Sequence, residues 1–142
     1  MGGLAVVDVV DRYFGAYNAH DLDALMGCYC SQPVAVGPGG PARGRSDVAS
    51  YHTLLWQAFP DARVTVWQKI VKDEAVAAVG VGIGTHTGPF PLTTGEVVEA
   101  TGRRVSVRCC WIFEIEGCLI ACSEVFYDQL ELCIQLGLRL PA

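Results

Sequence analysis

Residues 80–90 read Gly80-Val81-Gly82-Ile83-Gly84-Thr85-His86-Thr87-Gly88-Pro89-Phe90. Glycine recurs at every second position with apolar residues between, the two-residue period of a strand. Side chains alternate along a strand, so Gly80, Gly82 and Gly84 share one face and leave it bare. Glycine inside a strand weakens it and marks a bend or a close approach. Three on one face imply sharp sheet curvature or room for a ligand, and a bend with no ligand fits the pattern equally well. A phosphate loop does not fit: the spacing is not G-x-G-x-x-G, no Lys-Ser/Thr pair follows and no helix opens here. Nor is His86 a metal ligand by spacing, since no second ligand lies two or four residues on.

The flanking sequence continues the strand pattern. Residues 63–71 alternate around Trp67, and Lys72-Asp73-Glu74 is a polar turn before the glycine strand, residues 75–87. Residues 88–102 form a loop or hairpin excursion. Two further strands, residues 103–116 and 118–127, meet at Gly117. Long neighbours joined by short turns read as one meandering antiparallel sheet. Three helices precede it. Residues 4–18 place Val6, Val10, Tyr13, Phe14 and Tyr17 at helical steps. Asp21 caps a short helix over residues 22–30, and Ser46 or Asp47 caps a third that runs to about Phe59 before Pro60. Between them, Pro33, Pro38 and Pro41 leave room only for a short strand near Val34–Val36. The expected class is α+β: a curved antiparallel sheet with three N-terminal helices, a cone-shaped barrel around an internal pocket. Without repeat or linker, residues 1–142 read as a single domain.

Composition narrows the function. The chain is 51% apolar and 18% charged, with net charge −5. So oily a composition at this size suits an internal apolar cavity, a subunit interface, or both. Lys69 and Lys72 are the only lysines and the arginines form no stripe, which disfavours nucleic acid as a partner. The first residues lack a positive signal-peptide start, and no apolar run approaches the ~20 residues of a membrane span. A cytoplasmic protein without membrane association is the expectation. The seven cysteines form no C-x-x-C and no zinc spacing, so they read as free thiols packed as small hydrophobes.

The order of motifs resembles a known family. "RYFGAYNAHDLDALMGCY" (12–29), "RGRSDVASYHTLLWQAFPDARV" (43–64), "GTHTGPF" (84–90), "TGRRV" (101–105) and "YDQLELCIQLGL" (127–138) resemble, in sequence order, the SnoaL-like polyketide cyclases of the NTF2-like and ketosteroid-isomerase-like superfamily. The resemblance implies the cone-shaped fold inferred above and a homodimer. It implies a ring-closing enzyme that works on a polyketide or similar apolar small molecule by an intramolecular aldol step. A carboxylate in the pocket would act as general base, neighbouring polar groups would hold the enolate, and neither metal nor organic cofactor would be needed. Related members open epoxides, form cyclic ethers or hydroxylate polyketides. The alternatives are such chemistry, pericyclic closure, or a non-catalytic protein that binds a small apolar ligand.

Alternation along the last strand puts Cys122, Glu124, Phe126 and Asp128 on one face, which makes Glu124 and Asp128 the acid/base candidates. Asp128 also matches the aspartate before the family's Gln-Leu-Gly ending, here Gln135-Leu136-Gly137; the other reading is that it caps the turn over residues 129–135. His86 is the third catalytic candidate, or it orders the Gly88-Pro89 turn. Tyr17 on the first helix and Tyr51 and His52 on the third are expected at the substrate, as core residues or as hydroxyl and imidazole partners of an oxyanion. Trp56, Trp67 and Trp111 are core, or walls for a flat polycyclic substrate. Trp111 shares a face with Cys109 and Phe113. The sequence departs from the family in lacking a histidine on the strand 103–116. No carboxylate lies at Val34–Val36, where a ketosteroid isomerase carries its base.

Overall fold

The computed structural model of the chain describes residues 3–139. Helix α1 (Gly3–Ala19) leads into α2 (Leu22–Gly27), then the hairpin β1 (Tyr29–Gly37) and β2 (Gly40–Arg43), then α3 (Arg45–Ala58). Strands β3 (Arg63–Lys72) and β4 (Ala75–Thr85) follow, with a two-stranded excursion of β5 (Phe90–Pro91) and β6 (Val97–Val98). Strands β7 (Arg104–Glu116) and β8 (Leu119–Tyr127) and helix α4 (Gln129–Gln135) complete the chain. The six long strands form one curved, open sheet in the order β2-β1-β8-β7-β4-β3. Four of its junctions are antiparallel; β1 and β8 run parallel. A parallel pair needs a long crossover, and here everything from β2 to β7 supplies it.

The helices cover the inner face. Val6, Val9, Val10, Tyr13, Phe14 and Tyr17 of α1 are buried at the helical steps read from the sequence. Their rings meet the sheet edge-on: Tyr13 and Phe113 centroids are 5.1 Å apart, as are Phe14 and Trp111. Asn18 then pins the end of α1 to β3. Its amide donates to Val64 O (2.9 Å) and its carbonyl accepts from Val64 N (2.7 Å).

Several boundaries depart from expectation for physical reasons. Asp21 caps α2 through a bond from Ala24 N, but the helix stops at Gly27 and Tyr29 already belongs to β1. Gly44, not Ser46 or Asp47, precedes α3, with φ 85°. Its N–H donates to Pro33 O, and Arg45 turns back to donate to Met26 O, Tyr29 O and Cys30 O. Backbone carbonyls at the end of α2 and at the irregular start of β1 thus take up the guanidinium. The loop expected between Ser31 and residue 45 is largely strand.

The three bare glycines do different work. A Cβ on Gly80 would sit 2.0 Å from Thr65 O, so there the β3 backbone itself crowds the strand, next to the register shift between Val66 and Gln68. A Cβ on Gly84 would press Phe59 at 3.0 Å. On Gly82 it would find only Cys109 Sγ at 3.9 Å. One glycine therefore serves curvature, one seats an aromatic ring, and Gly82 leaves open space. Among the described residues, no helix is long and apolar enough to cross a membrane.

Candidate functional site

A cavity of about 340 Å³ lies between the inner face of the sheet and helices α1 and α3. Trp111, Val107 and Cys109 of β7, Val125 and Tyr127 of β8, and Gly82 of β4 form its sheet wall. Leu55 of α3 and Phe59 just beyond it face them, and Phe90 and Leu92 of the β5–β6 excursion line it too. The lining is mostly apolar and aromatic, as expected of a site that takes a hydrophobic small molecule.

Polar side chains gather at the most buried end. His52 and Ser123 line the cavity there with Tyr13, Tyr17 and Tyr51. Behind them Tyr29 ties the cluster together: its hydroxyl lies 2.7 Å from Ser123 Oγ and 3.0 Å from His52 Nε2. Burial sets every charge state in this group. It lowers His52 to about 4, so the imidazole is neutral near pH 7, and raises Tyr51 to about 12. Burial likewise raises Tyr13, Tyr17, Tyr29 and Tyr127. Cys109, whose thiol donates to Val107 O, is raised to about 11 and is no thiolate. The deep end therefore offers neutral hydrogen-bond donors and acceptors. Among the described residues, no three His, Cys, Asp or Glu side chains are grouped to hold a metal ion.

Of the residues singled out in the sequence, Tyr17, Tyr51, His52 and Trp111 line this cavity together. Adjacent Tyr51 and His52 both reach it. Trp56 is buried, its ring stacked on His20 at 5.0 Å, and is not part of the lining. Trp67 is 57% exposed on the edge strand β3, at the register shift. The expected inward face of β8 is corrected. Ser123, Val125 and Tyr127 pair with Phe113, Trp111 and Cys109 and point inward. Glu124 alternates to the other face and reaches the edge of the cavity beside its β1 partner Val36. It is nonetheless the one carboxylate among the described lining residues. Asp128 is exposed and outside the lining; its carboxylate accepts from Leu130 N (2.9 Å) and Glu131 N (3.2 Å) as the cap of α4.

His86 is fully buried and also outside the lining. Thr101 N–H donates to its Nδ1 (3.2 Å), and the Thr101 hydroxyl lies 2.9 Å from the same atom. Its backbone bonds Arg103 O and Gly102 N, closing the base of the β5–β6 excursion. Thr87 and Gly88 N–H then donate to Ala58 O at the end of α3, an approach so close that a Cβ on Gly88 would meet Gln57 O at 2.0 Å. The residues that sequence reasoning passed over are Tyr13, Tyr29, Ser123 and Tyr127. Tyr13 carried a helical-period signal; Ser123 carried none.

An open curved sheet, helices over one face and an apolar pocket with a small polar end define a protein of the ketosteroid-isomerase-like fold. Residues 10–122 match the SnoaL-like domain family, and the chain belongs to it. Among solved structures, it is similar to a provisionally assigned SnoaL-like polyketide cyclase of Jannaschia sp. CCS1, at TM-score 0.85 and 20% identity over 96% of this chain and 94% of that one. It is similar to AclR of Streptomyces galilaeus, provisionally assigned as a hydroxylase, at TM-score 0.81 and 21% identity over 99% and 100%. IdmH of Streptomyces antibioticus, a provisionally assigned polyketide cyclase, aligns at TM-score 0.77 and 24% identity over 94% and 99%. No curated protein matches the sequence.

Proposed function

We propose that the protein closes a ring in a polyketide-type intermediate by enolate chemistry. The observation that carries this is the cavity itself: an apolar, aromatic-walled space whose buried end holds only neutral hydrogen-bonding groups, with one carboxylate at its edge. In the proposed step, Glu124 removes a proton from a carbon between two carbonyls. The enolate carbon attacks a carbonyl carbon of the same molecule, a C–C bond forms, and the new alkoxide takes the proton back. Atoms and charge balance without a second reactant. The aromatic walls would hold the folded chain in the reactive shape, which supplies much of the rate in an intramolecular closure. A cavity of about 340 Å³ suits two or three fused rings rather than a longer system.

Incubation with short linear and bicyclic poly-β-ketones, followed by chromatography and mass spectrometry, tests the reading. Ring-closed product at unchanged mass, or less one water, is expected. Glu124→Gln should lower turnover by about 100-fold or more, and full activity in that variant would remove Glu124 as base. Tight binding of these compounds with no product from any of them would favour the second reading, a carrier or sensor of an apolar ligand. The distance of Glu124's edge position from the buried polar end is what favours that reading.

A further inference from the structure

The hydrogen bonds behind the cavity decide which nitrogen of His52 carries the proton. Tyr29 Oη lies within bonding distance of Ser123 Oγ (2.7 Å) and His52 Nε2 (3.0 Å). A phenol has one proton to give, while its oxygen can accept. Suppose Nε2 held the ring proton and gave it to Tyr29. Tyr29 would then donate to Ser123, whose own proton would have no acceptor in the cluster, and Nδ1 would be a bare nitrogen with no donor. In the opposite arrangement Ser123 donates to Tyr29, Tyr29 donates to Nε2, and only the ring proton on Nδ1 goes unused. The first arrangement leaves two buried polar groups unpaired and the second only one, so the second prevails. The ring proton then sits on Nδ1.

His52 Nδ1 is buried and has no partner, although the side chain lines the cavity and is only 2% exposed. The ring is caged by Tyr13, Tyr17, Tyr51 and Trp56, with centroids 5.1–6.5 Å away. An orphaned donor so fixed is a group waiting for an acceptor. We propose that His52 Nδ1–H is the hydrogen-bond donor that holds an enolate or carbonyl oxygen of the molecule bound in the cavity. The proposal deepens the ring-closure reading and rests on it for the enolate. When the carbon loses its proton, negative charge moves onto oxygen and would meet a donor already fixed in the cavity wall, in a site with little water to reorganise. Tyr29 acts through His52 as a positioning residue, since its proton on Nε2 is what keeps the other proton on Nδ1.

Imidazole ¹⁵N NMR reads the tautomer directly, and 2-acetyl-1,3-indandione, a bicyclic triketone that is an enolate at neutral pH, is the probe. In the free protein at pH 7, Nδ1 of His52 should be protonated and Nε2 bare; the probe should shift the Nδ1 nitrogen and its proton. His52→Asn keeps an amide N–H near the place of Nδ1 and should bind the probe within about threefold of wild type. His52→Gln moves the amide toward the place of Nε2 and should lose about tenfold or more. Thermal melts check folding; if His52→Gln does not fold, Tyr29→Phe takes its place and should yield a mixture of ring tautomers. A proton on Nε2 in the free protein, no binding of the probe by wild type, or equal affinity in wild type, His52→Asn and His52→Gln would overturn the proposal. The two readings fail separately. Probe binding with the Nδ1 shift but no ring closure of poly-β-ketones defeats the cyclase and leaves the donor. Ring closure at full rate in His52→Gln defeats the donor alone.

Discussion

His52 and His86 look alike in isolation. Both are buried, at 2% and 0% exposure, and each has one ring nitrogen without a partner. Their surroundings make them opposites. His52 stands on α3 in a cage of aromatic rings, lines the cavity, and is tied at Nε2 to a chain of hydroxyls. His86 sits one residue beyond β4, outside the cavity, and its Nδ1 and backbone close the base of the β5–β6 excursion on Thr101, Gly102 and Arg103. One region sets its histidine in the wall of a cavity; the other uses it to hold the chain. A buried histidine is thus informative only once the direction of its bonds is known.

The contrast can be broken most forcefully at the clasp. His86→Ala should cost about 3 kcal/mol of stability, as a cavity opens and the bond from Thr101 N is lost. Denaturant unfolding measures it. Unchanged stability would mean that His86 is not structural, whereas affinity for an apolar cavity ligand should stay within a fewfold in the folded fraction.

The next largest effect belongs to His52 and appears in acid. Burial holds its imidazole at about 4, against 6.5 in the unfolded chain. The unfolded state therefore takes up a proton first as pH falls. Stability should decline between about pH 6.5 and 4, by about 3 kcal/mol in all, and be independent of this group above pH 6.5. Denaturation at a series of pH values in wild type and His52→Asn isolates the contribution, because the variant should lack that part of the slope.

Gly82→Val sharpens the same contrast from the cavity side. Its Cβ meets only Cys109 Sγ at 3.9 Å, so the strand should tolerate it, while its methyls enter the cavity. Affinity for the indandione enolate should fall about tenfold, with stability within about 1 kcal/mol of wild type. Calorimetric titration alongside a melt checks both. The smallest effect is expected at Asp128. Removing its carboxylate with Asp128→Ala should cost about 1 kcal/mol through loss of the α4 cap, and turnover should not change. A large loss of turnover would return Asp128 to the catalytic set.

Much of this was legible in the chain. The bare face of Gly80, Gly82 and Gly84, the helical spacing of Val6 to Tyr17, and the stop at Pro60 are local signals, and each carries its own geometry. So is the face that Trp111 shares with Cys109 and Phe113. But adjacent helical residues diverge by about 100°, so the helical period turns only one of Tyr51 and His52 fully inward, and the structure brings both to the cavity. Trp67 shows where such signals end: a tryptophan in an alternating strand looks like core, but β3 is an edge strand and the register shift beside it leaves the ring in solvent.

The orientation of β8 shows most clearly what tertiary structure alone decided. The turn at Gly117 pairs Glu116 with Leu119 and Ile115 with Ile120. Carried on evenly, that register would set Phe113 against Cys122 and Trp111 against Glu124, turning Glu124 into the pocket. Instead Glu114 pairs with Cys122, leaving Ala121 as an extra residue on β8, and every later side chain changes face. Ser123 and Tyr127 enter the cavity, and Glu124 moves to its edge. Composition and periodicity determined that this chain would build a curved sheet around an apolar space. Which polar groups line that space was set by a one-residue bulge, because strand periodicity fixes alternation but only pairing across the sheet fixes its phase.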